Sequence, residues 1–147
     1  MWSSSSSPPW AASFLAAALS WVVVAHPVVA AEPEIAIELN KVEDTAEGCR
    51  TLFVFDNRSG HELSRFQVDL ILFDGDGVFS RQLMLDMAPL YDDKKSVASF
   101  LLDPTGCAAI GSILVNDIPA CVNGTGTELD CVELLEVRSR SAIPLEK

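Results

Sequence analysis

The chain has 147 residues, 10 Lys and Arg against 21 Asp and Glu, a formal net charge of −11, 49% hydrophobic residues and 7% aromatic ones. That length is one domain's worth, and the apolar content excludes a disordered acidic tail. The charge excludes a basic phosphate-binding face, hence nucleic acid as a partner. It opposes anionic lipid surfaces for the same reason.

The first segment stands apart. No charged residue occurs before Glu32, and Trp2, Trp10 and Trp21 all precede it. Met1 to Pro9 is small and polar, Trp10 to Ala25 is apolar, and His26-Pro27-Val28-Val29-Ala30-Ala31 ends in small residues. A short apolar core followed by small residues is the pattern of a secretory signal peptide. The expected cut follows Ala31, with Ala30 as the alternative, although the positive charge usual at the start is only the terminal amine. An uncleaved anchor is the competing reading, but a spanning helix needs about 20 apolar residues and Pro27 interrupts this run. Residues 1–31 are thus expected to be a leader and 32–147 the domain, in the periplasm or secreted, with no stable membrane anchor after cleavage.

Cys49, Cys107, Cys121 and Cys131 all fall in the second part. An even count in a small exported domain reads as disulfides. Four cysteines allow three pairings, and spacing alone leaves them open. The preferred set is Cys121–Cys131, where Gly124 and Gly126 let the chain turn back, which leaves Cys49–Cys107. Loop closure makes the short ring worth about 3 kcal/mol and the long one about 4. Zinc spacing of the Cys-x2-Cys kind and a redox Cys-x-x-Cys are both absent.

Strands follow in order. Ile35, Ile37 and Leu39 alternate with Ala36, Glu38 and Asn40, a half-buried strand. Cys49 to Asp56 is β-branched and aromatic, a strand buried on both faces. Asn57-Arg58-Ser59-Gly60 is a turn cluster. From Phe66 to Asp74, Phe66, Val68, Leu70 and Leu72 form one face. Asp74-Gly75-Asp76-Gly77 then reads as a hairpin turn into Val78–Met87. Ala88 to Lys95 reads as a loop, Val97–Asp103 and Ser112–Asp117 as strands, and Cys131–Ser139 as a seventh. The pattern predicts an all-β, immunoglobulin-like antiparallel sandwich of about seven strands. A small α+β fold, with a helix over Asp130–Arg138, is the alternative.

Leu70-Ile71-Leu72-Phe73-Asp74, followed by Asp76-Gly77, resembles the strand-and-turn signature of FxLYD-type domains, immunoglobulin-like sandwich modules of bacterial envelope proteins. Leu70 stands where that pattern has Phe, and Phe73 where it has Tyr. The resemblance covers about 20 residues and implies a fold and a compartment. Such modules are mostly of unassigned function, so it implies no activity.

Candidate chemistry is sparse. His61 is the one histidine after the leader; no Gly-x-Ser-x-Gly elbow accompanies it, so a serine triad is unsupported. Met84 and Met87 with His61 suggest copper, since thioethers suit Cu(I). Residues three apart on a strand face opposite ways, however, which sends one methionine to the core. Asp74 and Asp76 resemble the start of a calcium loop, but the glycine position and the strand that follows fit a hairpin. Asp92-Asp93-Lys94-Lys95 reads as a solvated loop. Asn57-Arg58-Ser59 and Asn123-Gly124-Thr125 are formal glycosylation acceptors that equally make ordinary turns. With no Trp after the leader and the six remaining Phe in apolar strands, sugar binding is disfavoured. The sequence therefore predicts a monomeric binding or accessory module with an unidentified protein partner, without catalytic residues or cofactor. The alternative is a periplasmic calcium- or copper-handling protein using the acidic turns or Met84 and His61.

Overall fold

Alternating β-branched and aromatic residues pair as eight strands: β1 (Ile35–Thr45), β2 (Gly48–Asn57), β3 (Leu63–Phe73), β4 (Phe79–Asp86), β5 (Lys94–Asp103), β6 (Ser112–Asn123), β7 (Leu135–Ser139) and β8 (Leu145–Glu146). The computed structural model describes Trp2 and residues 34–147; the expected leader and its cut at Ala30 or Ala31 lie outside the described residues. The strands form two four-stranded sheets, β5-β2-β1-β7 and β4-β3-β6-β8. Their inner faces enclose one core, so the fold is a β-sandwich. Placing β5-β2-β1 against β4-β3-β6 gives the strand neighbours of an immunoglobulin-like arrangement.

Two pairings depart from a purely antiparallel sheet. β7 runs parallel to β1, and β8 runs parallel to β6. The sheets are therefore mixed, and the described residues form eight strands where the sequence pattern predicts about seven. Residues 131–134 form a turn, not the start of a strand, and no helix spans Asp130–Arg138; among the described residues the one helical stretch is a 3-10 turn at Cys107–Ala109. Tertiary pairing with β1 overrides local propensity there.

Burial also redistributes. β1 is buried on both faces from Ile35 to Leu39, because it lies between β2 and β7 and Glu38 on its outer side is covered. β2 is the less complete one: Arg50 is exposed, and Leu52 and Val54 are half-buried on its outer face. Lys94 and Lys95 belong to β5, not to a loop, since they pair with Asn57 and Asp56. Met87 enters the core while Met84 stays exposed.

The core is aliphatic around three buried phenylalanines, Phe53, Phe55 and Phe66. Phe53 lies between Phe55 and Phe100, with both centroid distances 6.2 Å. Two tight approaches require glycine. A Cβ on Gly48, whose φ is +124°, would fall 2.1 Å from the Asp103 carbonyl oxygen. One on Gly111 would fall 2.1 Å from that of Asp74.

Two disulfides fasten the frame. Cys49–Cys107 ties the start of β2 to the 3-10 turn, with Cα atoms 4.5 Å apart. Cys121–Cys131 ties β6 to the turn before β7, with Cα atoms 6.1 Å apart. Structural disulfides belong to oxidising, extracytoplasmic compartments. Among the described residues no helix is long and apolar enough to cross a membrane.

Candidate functional site

The residues singled out from the sequence separate in space. His61 is exposed in the loop between β2 and β3, where its carbonyl oxygen accepts a hydrogen bond from Asn57 Nδ2 at 2.8 Å. Met84 and Met87 point apart, as described above. Asp74 Oδ1 accepts the amides of Asp76 and Val78, both at 2.9 Å, which makes its carboxylate a turn-forming group. No three His, Cys, Asp or Glu side chains among the described residues converge as metal ligands.

The charged stretch after Tyr91 is more ordered than a solvated loop. Asp92 Oδ1 accepts the Gly60 amide at 2.9 Å, Lys94 Nζ lies 4.9 Å over the Tyr91 ring, and Lys95 Nζ is 3.8 Å from Asp56. The two formal glycosylation acceptors are buried turn formers. Asn57 Oδ1 accepts from the Ser59 amide and hydroxyl; Asn123 Oδ1 accepts from the Thr125 amide and hydroxyl and the Thr127 amide. In each sequon the Ser or Thr completes the turn around its own asparagine.

Two carboxylates show displaced acidity. Glu38 accepts from Asn40 Nδ2 at 2.7 Å, Arg138 Nε at 2.6 Å and Arg140 Nε at 2.9 Å. The Asn40 hydrogen bond lowers its pKa most, burial opposes, and the two guanidinium groups lower it further, to about 2. A register shift in β1 between Leu39 and Lys41 leaves Asn40 outside the ladder with its side chain on Glu38. Asp103 is lowered chiefly by the Thr105 hydroxyl, which donates to it. Both groups serve the frame.

The outer face of the second sheet is a surface that the frame does not use, as is the outer face of the first, where Val97 and Leu101 are exposed. Directly opposed residues of an antiparallel pair share a face. Val68, Leu70 and Leu72 of β3 turn inward, so Asp69, Ile71 and Phe73 turn outward. Across the ladder, Phe73 meets Phe79, Ile71 meets Leu114, and Asp69 meets Met84 and Asp117. The result is an apolar centre in which Phe79 is 57% and Met84 55% exposed, extended by Val78 at the hairpin. Beside it, Asp69 is buried on this outer side. Gln82 Nε2 donates to both its oxygens at 2.9 Å and Asn116 Nδ2 to one at 2.7 Å, which fastens β4 and β6 to β3.

Carboxylates surround that centre. Asp76, Asp86 and Asp117 are exposed. Past Asp117 the face meets a cleft of about 270 Å³, lined by Pro119, Glu128, Asp130, Val132 and the Cys121–Cys131 pair. The ion pairs sit elsewhere. Lys41–Glu43, Arg50–Glu47, Arg58–Asp56, Lys95–Asp56, Arg138–Glu38 and Arg140–Glu38 all belong to the first sheet and its turns.

Sequence reasoning missed this face by reading the six phenylalanines as parts of apolar strand patterns, whereas Phe79 stands exposed. Its signal was Val78-Phe79, two large apolar neighbours at the start of β4, where an alternating strand can bury only one of such a pair. Glu38 had a signal too: two arginines close together, Arg138 at the end of β7 and Arg140 just past it, both reach its carboxylate. Comparisons with protein-family models, with curated proteins and with solved structures found no match to this chain.

Proposed function

We propose that the chain is an exported, non-catalytic binding or accessory module, monomeric, that works in the periplasm or outside the cell. The observation that carries this reading is the outer face of the second sheet, where Phe79, Met84 and Val78 stand exposed over Phe73 and Ile71 on a rigid frame. Exposed contiguous apolar surface on a soluble domain marks an interaction site. A sheet held by two disulfides keeps such a site preorganised, which lowers the entropy cost of binding. The resemblance of Leu70 to Gly77 to FxLYD-type envelope modules supports the compartment.

The test is a pull-down with the oxidised chain from Glu32 onward, set against its native envelope extract. The sandwich from Ile35 to Glu146 carries its own core and both disulfides, so this segment is a fair bait. A partner retained at high salt, and lost with Phe79→Ser and Met84→Ser together, supports the reading. Enrichment only at low salt assigns the capture to net charge. A partner that ignores both substitutions removes this face from the account.

A further inference from the structure

We propose that the outer face of the β4-β3-β6-β8 sheet docks a cationic amphipathic segment of another protein. Its apolar side chains would lie over Phe79, Phe73, Ile71 and Met84, and its Lys or Arg side chains would meet Asp76, Asp86 and Asp117. This rests on the binding-module reading and adds the chemistry of the partner.

The charge distribution carries the argument. The basic residues of the strands concentrate on the first sheet, which holds Lys41, Arg50, Lys94, Lys95 and Arg138. The second sheet has only Arg65 and Arg81, against Asp69, Asp86, Asp117 and Glu146 on its strands and Asp74 and Asp76 in its hairpin. Arg81 opposes Leu72, so it leans toward the interior side, whereas Arg65, in step with Gln67 and Asp69, is the one cation on the outer face, at its Asp86 end. The charge of Arg81 also acts on Asp103 of β5, whose acidity it raises. Among the described residues, none of the ion pairs involves Asp76, Asp86 or Asp117. Asp86 accepts only a 3.4 Å contact from Gln67 and the Ala88 amide, and Asp117 the neighbouring Ile118 amide. Carboxylates therefore outnumber the single Arg65 around the apolar centre, which makes the face complementary to a segment that brings cations with its apolar side chains.

The same facts dispose of two other occupants. A second copy of this chain would set Asp76, Asp86 and Asp117 against their own kind, with a charge of −11 on each molecule. The chain's own first 31 residues are apolar but hold no Lys or Arg, so they leave the carboxylates unanswered. An anionic membrane is repelled outright.

The probe is a short fluorescein-labelled peptide made only of Leu and Lys in helical amphipathic order, with a Leu and Glu counterpart as control. It is titrated into the oxidised chain from Glu32 onward and read by anisotropy. The Lys peptide binds and the Glu peptide does not. Phe79→Ser with Met84→Ser weakens binding by about tenfold or more, since both exposed anchors are removed. Asp76→Asn, Asp86→Asn and Asp117→Asn together weaken it by about tenfold at low salt and far less at high salt. Val97→Ser, on the outer face of the other sheet, changes nothing. All these positions are exposed, and an unchanged thermal midpoint verifies that each variant folds. The proposal falls if the Glu peptide binds as well, if Val97→Ser weakens binding equally, or if the Lys peptide fails to bind at about 100 μM and low salt. If the native partner is lost with the Phe79 and Met84 substitutions but kept with the three Asn substitutions, the binding-module reading stands and this inference falls.

Discussion

Replacing Glu38 with Gln removes one negative charge and keeps the shape, which isolates the electrostatic share of the β1–β7 junction. Glu38 lies between Val54 of β2 and Arg138 of β7 in the register, and its carboxylate joins Arg138 and Arg140 to Asn40. A fall in pKa from 4.5 to about 2 corresponds to about 3 kcal/mol at 1.4 kcal/mol per pH unit. The guanidinium side chains are 42% and 67% exposed, so solvent screening reduces this to about 1.5 kcal/mol. Because the folded pKa is depressed, the stabilisation is complete above the unfolded value near 4.5 and is lost as pH falls through about 2. Urea unfolding followed by circular dichroism, with disulfides intact, gives the difference between wild type and Glu38→Gln at each pH. That difference should be about 1.5 kcal/mol at pH 7 and shrink to about a quarter of it near pH 2.5. Asp103 and other carboxylates also titrate in acid, but they are common to both proteins and cancel. A difference that stays constant from pH 7 to pH 2.5, or that never exceeds about 0.5 kcal/mol, would refute the reasoning.

Other outcomes follow from the same frame. Replacing Cys49 and Cys107 by Ala should cost about 4 kcal/mol, and Cys121 and Cys131 about 3, because the closed loops span 58 and 10 residues; urea midpoints with unchanged slopes would measure this. Asn57→Ala removes side-chain donors to the His61 and Leu90 carbonyls and the acceptor for Ser59, a loss of about 2–4 kcal/mol. The same burial predicts that Asn57 stays unmodified when the folded domain meets a glycosylating extract, which mass spectrometry would read. Gly48→Ala forces a Cβ into the Asp103 carbonyl and should cost more than about 3 kcal/mol, whereas Gly60→Ala, with open space around it, should cost about 1.

What could be read from the sequence was whatever depends on period and local turn chemistry. Phe66 to Leu72 alternates strictly, and Asp74-Gly75 folds back by capturing its own amides, so the β3–β4 hairpin was legible. What could not be read was set by neighbours far along the chain. Ala36 and Glu38 look like a solvent face until β7 and two arginines cover them. Lys94 and Lys95 look like loop residues until β2 recruits them. Cys131 to Leu134 is apolar enough for strand or helix, and the turn it forms is imposed by the parallel strand that follows. The apolar face failed to show for a different reason. An alternating pattern says which residues share a side of a strand, but not whether that side meets another sheet or water.

The two parallel edge strands also fix an order of arrival. β1 begins at the first described residue pairs of the sandwich, yet the strand that walls it on one side is a hundred residues downstream, as Glu38 and Arg138 show. The first sheet is therefore complete only when Leu135–Ser139 has joined β1. Such long-range closure is slow and leaves an unpaired edge in the meantime. Removing the segment from Leu135 onward would leave β1 as an open edge, a template for aggregation.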